Sequence, residues 1–329
     1  MKKFFKQKQK LLLVAMIMVV SLTGCAVPRD SKTGKTYADS IITVKDETVK
    51  KQDVVFSPNS EEEAKYKDYK PEDEIIIPKT TFKESLDEGW FNGFIVYPIA
   101  QLINLIASVT DAGVGIIATT LIIQILIFLL SLKSQVASQK MQAIQPEVNK
   151  IQAKYAGRSD QNAKMQQAQE LQALYSKHKI NPFGTMLIMF IQLPVLFGMY
   201  NATLRAYSVV TGSFMGLNLV TTPMEGMKTS FWYIVMFVLM LLFQFLSFKM
   251  PQWLQAHRKK KSNVKEKKYA QPTQTNGLAN SMNMMVYMNM IIVAFLSINW
   301  PSAMTFYWLV SSVVRVIQNV VVHKFFMKD

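Results

Sequence analysis

The 329-residue chain contains one cysteine and three histidines, and their scarcity excludes several kinds of site. A single cysteine cannot form an intrachain disulfide. His178, His257 and His323 are dispersed and flank basic segments, so they lack the spacing of metal ligands. The sequence also lacks a glycine-rich phosphate loop and a nucleophile elbow. We therefore expect no enzymatic activity, no cofactor and no metal site.

Acidic residues are scarce everywhere except near the N-terminus. The chain has 22 Asp and Glu against 37 Lys and Arg, a formal net charge of +15, and 15 of the acids lie within residues 26–88. Four prolines interrupt the same stretch, which predicts a polar extracellular linker over 25–88 with little core of its own. Elsewhere the basic residues gather in particular loops, which favours membrane orientation over nucleic-acid binding.

Long apolar runs dominate the rest of the chain. Half of the residues are hydrophobic and only 18% are charged. The runs match the hydrocarbon thickness of a bilayer, about 30 Å, at a rise of about 1.5 Å per helical residue. A buried core helix would explain one such run but not five. We therefore predict an all-α polytopic membrane protein whose five transmembrane helices lie at 113–132, 182–203, 229–248, 279–298 and 303–322.

Positive charge is unevenly distributed among the connecting segments. Eight Lys and Arg lie between the first and second spans and eight more lie in the loop 249–278, whereas the loop 204–228 is nearly uncharged. Positively charged loops stay in the cytoplasm. We therefore predict a protein of the bacterial cytoplasmic membrane with its mature N-terminus outside and a short cytoplasmic tail, 323–329.

The N-terminus has the pattern of a secretory signal. Lysines crowd the first ten residues, an apolar stretch follows, and the segment ends in Leu22-Thr23-Gly24-Cys25. This ending resembles the bacterial lipobox, in which the cysteine is acylated and the chain is cut before it. We predict a cleaved signal peptide over 1–24 and a lipid anchor, including palmitate, on Cys25. The alternative is an uncleaved first span with an incidental cysteine.

Residues 89–111 carry apolar side chains at helical spacing. Phe91, Phe94, Ile99 and Ile103 belong to this series. The pattern predicts an amphipathic helix that lies on the outer surface of the membrane.

The segment 134–180 has a regular apolar periodicity in two halves. Steps of three and four recur on each side of a break at 157–160, which predicts an antiparallel helical hairpin with an apolar seam. The predicted seam consists of Met141, Ile144, Val148, Ile151, Tyr155, Met165, Ala168, Leu171 and Tyr175.

Polar residues recur inside the predicted spans, where they are costly and usually face a cavity or another helix. Thr120 and Gln124 are four residues apart on one face, and Ser311, Arg315 and Gln318 follow at steps of four and three. For Gln124, Arg315 and Gln192 in the second span we predict a shared wet cavity. Interhelical hydrogen bonds, and snorkelling of Arg315 to the cytoplasmic surface, are the alternatives.

Five short sequence motifs follow one another between residues 141 and 308. They are Met141-Gln-Ala-Ile-Gln-Pro-Glu147, Lys179-Ile-Asn-Pro-Phe-Gly184, Ile191-Gln-Leu-Pro-Val195, Trp300-Pro-Ser302 and Tyr307-Trp308. In this order and topology, over residues 90 to 322, the chain resembles the YidC-type membrane protein insertases, relatives of the mitochondrial Oxa and chloroplast Alb proteins. Each motif alone is weak, and the resemblance rests on their combination.

The resemblance implies a hydrophilic groove within the membrane, open to the cytoplasm and to lipid. A client's polar tail rests there while its apolar segment moves into the bilayer. Thr120, Gln192, Tyr307 and Trp308 match groove positions by motif, and we expect Gln124, Ser311 and Arg315 to complete the groove. The implied partners are nascent membrane proteins and the lipid bilayer, together with the Sec channel and the ribosome as further candidates.

Three departures from the family pattern point to a divergent paralogue. Gln124 stands where the family usually has an arginine, Leu129 stands where it often has a proline, and the tail after 322 is too short to be a ribosome-binding tail. The absent arginine keeps open a non-inserting assembly factor or scaffold that retains the fold. A small-solute transporter is a weaker alternative, because no inverted repeat is visible. The sequence does not indicate an oligomeric state.

Overall fold

A computed structural model describes residues 29–30, 34–158, 160–261 and 278–327. The predicted signal peptide, Cys25 and the part of the basic loop over 262–277 lie outside the described residues. The chain divides into two compact units. The first runs up to Thr120 and also contains Phe190–Ile234 and Asn299–Tyr307; the second contains Leu121–Met189, Val235–Ile298 and the chain from Trp308.

The N-terminal part of the first unit, residues 34–88, is folded around its own core. Strands β1 (Glu47–Lys50) and β2 (Glu74–Ile77) pair antiparallel, and helices α1 (Glu61–Lys65) and α2 (Phe82–Asp87) accompany them. The core is formed by the buried side chains of Ala38, Ile41, Val49, Val54, Tyr66, Ile75 and Ile77. The prediction of a linker with little core is therefore wrong for this segment.

The strand β2 shows why this core escaped the sequence pattern. Ile75 and Ile77 are 1% and 4% exposed, whereas Ile76 between them is 56% exposed, as expected for the two faces of a strand. Only this short run carries a periodicity. The other core residues are isolated between polar ones and meet only through tertiary contacts.

A π-helical turn at Asn92–Val96 leads into helix α3 (Tyr97–Ala107). The buried side of this stretch contains Phe91, Val96 and Ile103. Phe94, which the periodicity placed on the same apolar face as Phe91, is instead 62% exposed. The reason is that the π turn adds a residue to the helical turn and rotates the following face.

The remaining elements complete a mostly helical chain. They are α4 (Ala112–Ala143), α5 (Gln145–Lys154), α6 (Gln161–Lys177), α7 (Pro182–Arg205), α8 (Tyr207–Thr211), β3 (Ser213–Phe214), β4 (Leu217–Asn218), α9 (Pro223–Gly226), α10 (Trp232–Lys261), α11 (Leu278–Asn299), α12 (Ser302–Val321) and a π-helical turn at Val322–Phe326. The all-α prediction therefore holds for most of the chain and is wrong for the two small sheets, β1–β2 and β3–β4.

Among the described residues, three helical stretches are long and apolar enough to cross a membrane. They are Ala112–Ala143, Trp232–Arg258 and Ser302–Phe326. The first extends well beyond the span predicted at 113–132, because neither glycine nor proline occurs between Gly115 and Pro146. The chain is therefore a multi-pass membrane protein by its helices.

Within the second unit, α5 and α6 form a helical hairpin. Tyr155, just after α5, donates a hydrogen bond to Glu170 within α6 over 2.9 Å. His178, just after α6, lies 3.4 Å from Glu147 near the start of α5, so the two helices run antiparallel. Hydrogen bonds from Lys154 and then Tyr155 lower the pKa of the Glu170 carboxyl.

The seam of this hairpin differs in part from the predicted one. It contains Ile144, Val148, Leu174 and Ile180, with Met141, Ile151, Leu171 and Tyr175 packed against it. Met165 and Ala168, which were predicted in the seam, are exposed. Ala163 is buried instead, and it precedes Leu174 by eleven residues, which places both on the same face of α6 and leaves Met165 on the opposite face.

Candidate functional site

The second unit contains a buried polar contact between α4 and α12. Gln124 and Ser311 are 3% and 1% exposed, and the Gln124 Nε2 donates a hydrogen bond to the Ser311 Oγ over 3.0 Å. One heptad further along α12, the Gln318 Nε2 donates to the backbone carbonyl of Gln124 over 3.2 Å. The structure thus brings together two of the predicted groove residues, which are 187 positions apart in the chain.

Arg315 lies on the same face of α12 as these contacts. It follows Ser311 by four residues and precedes Gln318 by three, which are neighbouring positions on a helix surface. Its side chain is partly buried. Because Ser311 and Gln318 both bind Gln124, their contacts bracket Arg315 along the helix and place it level with Gln124.

A second row of polar contacts joins α10 and α12, and sequence reasoning did not find it. The Ser312 Oγ donates to the Gln244 Oε1, and the Asn319 Nδ2 donates to the Ser247 carbonyl over 3.0 Å. Gln244 and Ser247 are both buried. The available signal was their spacing of three within an otherwise apolar helix, matched by the pair at 312 and 319.

The row continues towards the ends of the helices. The Gln139 Nε2 donates to the Asn319 carbonyl over 3.1 Å, and the Gln255 Nε2 donates to the Gln139 carbonyl over 2.8 Å. The Gln139 Oε1 is buried, and within the described part of the chain it has no hydrogen-bond partner. Polar groups therefore follow α12 from Ser311 to Asn319 on two adjoining faces.

The first unit holds three further predicted groove residues, Thr120, Gln192 and Tyr307. The Gln192 Nε2 donates to the Tyr307 hydroxyl over 3.2 Å, and Tyr307 is 1% exposed. The Thr120 hydroxyl donates to the carbonyl of Ile116 over 2.7 Å, so its hydrogen bond is satisfied by its own helix. Its neighbour Thr119 is also fully buried, and over the described residues its hydroxyl has no partner.

The predicted cavity shared by Gln124, Gln192 and Arg315 remains a prediction. Gln192 belongs to the first unit, whereas Gln124 and Arg315 belong to the second. Trp308 begins the last segment of the second unit and is 7% exposed. Cys25 lies outside the described residues.

The chemistry available at these positions is hydrogen bonding without a reactive centre. Amides and hydroxyls dominate, with Arg315 as the charged group. Across the described ranges there is no cluster of His, Cys, Asp and Glu that could hold a metal ion. Side chains of this kind can replace water as hydrogen-bonding partners for a polar segment in an apolar environment.

Comparisons with known proteins match most of the chain. The family model described as 60Kd inner membrane protein matches residues 104–329. The chain is 33% identical over 230 residues to membrane protein insertase YidC 1 of Streptococcus pyogenes serotype M1, covering 70% of this chain and 72% of the relative. It is 28% identical over 232 residues to membrane protein insertase MisCA of Bacillus subtilis (strain 168), covering 70% and 78% respectively. The folded segment 34–88 precedes the region that the family model matches.

Proposed function

Because the chain belongs to the 60Kd inner membrane protein family, we propose that it is a membrane protein insertase that moves transmembrane segments of newly made proteins into the cell membrane along a polar groove. The observation that carries the groove is the buried contact of Gln124 with Ser311 and Gln318. Polar tails of client proteins are costly to carry into hydrocarbon, and a row of amides and hydroxyls lowers that cost. No covalent chemistry or nucleotide is needed for this step.

Complementation tests this function directly. In a bacterial strain depleted of its own insertase, expression of the chain should restore growth and the insertion of a client with a short translocated tail. The control is the amount of the chain in the membrane fraction, which shows whether the protein is expressed and reaches the membrane. Normal abundance without restored insertion would refute the insertase proposal.

A non-inserting scaffold is the second candidate, and one observation favours it. The amide of Gln124 is already hydrogen-bonded inside the protein, as expected for a residue that joins two helices. Replacing Gln124 by leucine distinguishes the two roles. If Gln124 only joins the helices, the leucine variant should have a lower thermal stability. If Gln124 contacts clients, the variant should insert them less well at nearly unchanged thermal stability.

The proposed topology has five spans, with α7 and α11 as the second and fourth, α5 and α6 in the cytoplasm, and α3 on the outer surface. Exposed Trp90, Phe94, Leu105 and Val109 give the 89–111 stretch an apolar outer side that can enter the interface. A cysteine at the exposed Ser213 should react with an impermeant thiol reagent in intact cells, and one at Ser262 should react only after lysis. The reverse labelling pattern would overturn this orientation.

A lipid anchor on Cys25 is the remaining part of the topology. Changing Cys25 to serine should abolish fatty-acid labelling and leave a precursor larger by the signal peptide, because the chain has no other thiol. Metabolic labelling with a palmitate analogue, followed by electrophoresis, measures both effects. Label that persists on the serine variant would contradict the lipobox assignment.

The Sec channel and the ribosome are proposed partners for this function. The basic segment around 257–268 supports the ribosome, because clustered Lys and Arg bind nucleic acid through its phosphates. The Arg258 Nη1 already donates a hydrogen bond to the Met327 carbonyl over 2.7 Å, so a phosphate contact by this group would compete with that bond.

A further inference from the structure

A cleft of about 230 Å³ lies in the folded N-terminal part of the first unit. Its walls come from β2, α1, α2 and the segment 38–41, and the buried side chains of Ile41, Tyr66 and Ile75 contribute an apolar floor. The volume is smaller than the roughly 300–1,000 Å³ typical of small-molecule sites. It suits one or two amino-acid side chains instead.

The cleft lies along the unpaired edge of β2. The Tyr66 hydroxyl donates a hydrogen bond to the Ile76 carbonyl over 3.2 Å, so this carbonyl points away from β1 and towards the side of Tyr66. In an antiparallel strand the N–H and C=O of one residue point to the same side. The Ile76 N–H therefore faces this edge too, as a donor that an added strand can use.

The cleft is lined by four acids, Asp39, Glu62, Glu84 and Glu88, and by two cations, Lys79 and Arg205, so its lining carries more negative than positive charge. Glu84 is occupied by the backbone N–H of Thr81, and Glu88 is occupied by Arg205. Glu62 also lines the cleft, and among the described residues no hydrogen bond or ion pair holds its carboxylate. A free carboxylate beside an apolar floor is complementary to a cationic side chain next to an apolar one.

We propose that this cleft binds an extended basic peptide of a protein partner, which adds a strand beside β2. A carbonyl of the peptide accepts a hydrogen bond from the Ile76 N–H, one of its apolar side chains packs on the floor of the cleft, and one of its Lys or Arg side chains pairs with Glu62. Apart from Arg205, the residues that line the cleft lie outside the region that the family model matches, so the proposal does not depend on the insertion function.

Fluorescence anisotropy on the full-length protein in detergent tests this site, with the labelled peptide Gly-Lys-Val-Ile-Val-Lys-Gly as the probe. Saturable binding is expected, and it should weaken as salt is raised. Glu62→Gln should weaken binding about fivefold, whereas the matched control Glu61→Gln, on the same helical turn but outside the cleft, should change it less than about twofold. The peptide with both lysines replaced by glutamate should not bind.

Four results would each overturn the proposal. They are no saturable binding below about 1 mM, equal binding of the glutamate peptide, equal weakening by the Glu61 and Glu62 variants, and full displacement of the peptide by spermine. The last result would assign the cleft to polyamines, because spermine carries charge without a backbone to pair with β2.

Discussion

Replacing Arg315 by alanine should abolish the insertion of client proteins with acidic tails and spare clients with neutral tails. Arg315 is bracketed on α12 by the two residues that bind Gln124. From the family resemblance we expect Gln124 to stand where an arginine is usual. We hypothesise that the groove charge has moved from α4 to α12. Two opposite unit charges 4 Å apart interact by about 4 kcal/mol at an effective dielectric of 20. This is more than the free energy that corresponds to a tenfold loss of client binding.

A second-site change sharpens this test. In the Arg315→Ala background, Gln124→Arg should restore insertion, because both side chains project at about the same level of the bundle. Arg315→Lys should retain part of the activity, since charge matters more here than the fork geometry of arginine. Insertion is measured by protease protection of a reporter client with a single transmembrane segment, whose tail carries either Asp or Asn.

Normal insertion of the Asp-tailed client by the alanine variant would contradict the hypothesis that the groove charge has moved from α4 to α12. Arg315 would then snorkel to the cytoplasmic surface and position the end of α12. Thermal unfolding in detergent is the control for folding. An alanine variant that inserts the Asn-tailed client normally cannot owe its defect to misfolding.

The second large effect is expected at the Arg205–Glu88 ion pair. Arg205 ends α7, its side chain is only 3% exposed, and its guanidinium binds both oxygens of Glu88 at 2.6 and 2.9 Å. The Arg205 Nε also donates to the Ser40 carbonyl over 2.7 Å. The pair therefore fastens the segment 34–88 to the end of α7, within one unit.

Glu88→Gln should loosen this attachment strongly. The substitution keeps the shape and leaves a buried guanidinium without a counter-charge, which costs about 3–5 kcal/mol for a fully buried pair. Because Glu88 is 42% exposed, water offsets part of this cost and we expect about 2 kcal/mol. That corresponds to roughly 30-fold faster hydrogen exchange, at 1.4 kcal/mol per factor of ten.

Hydrogen exchange is measured at two backbone amides that join the segment 34–88 to the end of α7. The Ile42 N–H donates to the Arg205 carbonyl over 2.6 Å, and the Tyr207 N–H donates to the Ile42 carbonyl over 3.1 Å. The matched control is Glu72→Gln, which breaks the exposed pair with Lys50 and should change exchange by less than about threefold. If Glu88→Gln leaves both amides protected, contacts other than this ion pair hold the segment, among them the hydrogen bond from the Thr36 hydroxyl to the Leu204 carbonyl.

The long helices of this protein could be predicted from the sequence because their signals are local. Apolar runs, loop charge and the apolar steps at 141–151 each depend on neighbouring residues, and α4, α10 and α12 lie where those patterns placed helices. Gln124, Ser311 and Gln318 were recognisable as polar positions in apolar helices for the same reason. Their roles as client contacts stay predictions.

By itself, then, the sequence determined the membrane class, the family and the places where polar side chains interrupt the apolar helices. Only the tertiary structure decided which of those side chains meet, because Gln124 and Ser311 are 187 residues apart and Ser312 and Gln244 are 68 apart. It also decided that 34–88 folds. Of the seven residues in that core, only Ile75 and Ile77 show the alternation of a strand; the other five are scattered, and their burial depends on the whole chain path.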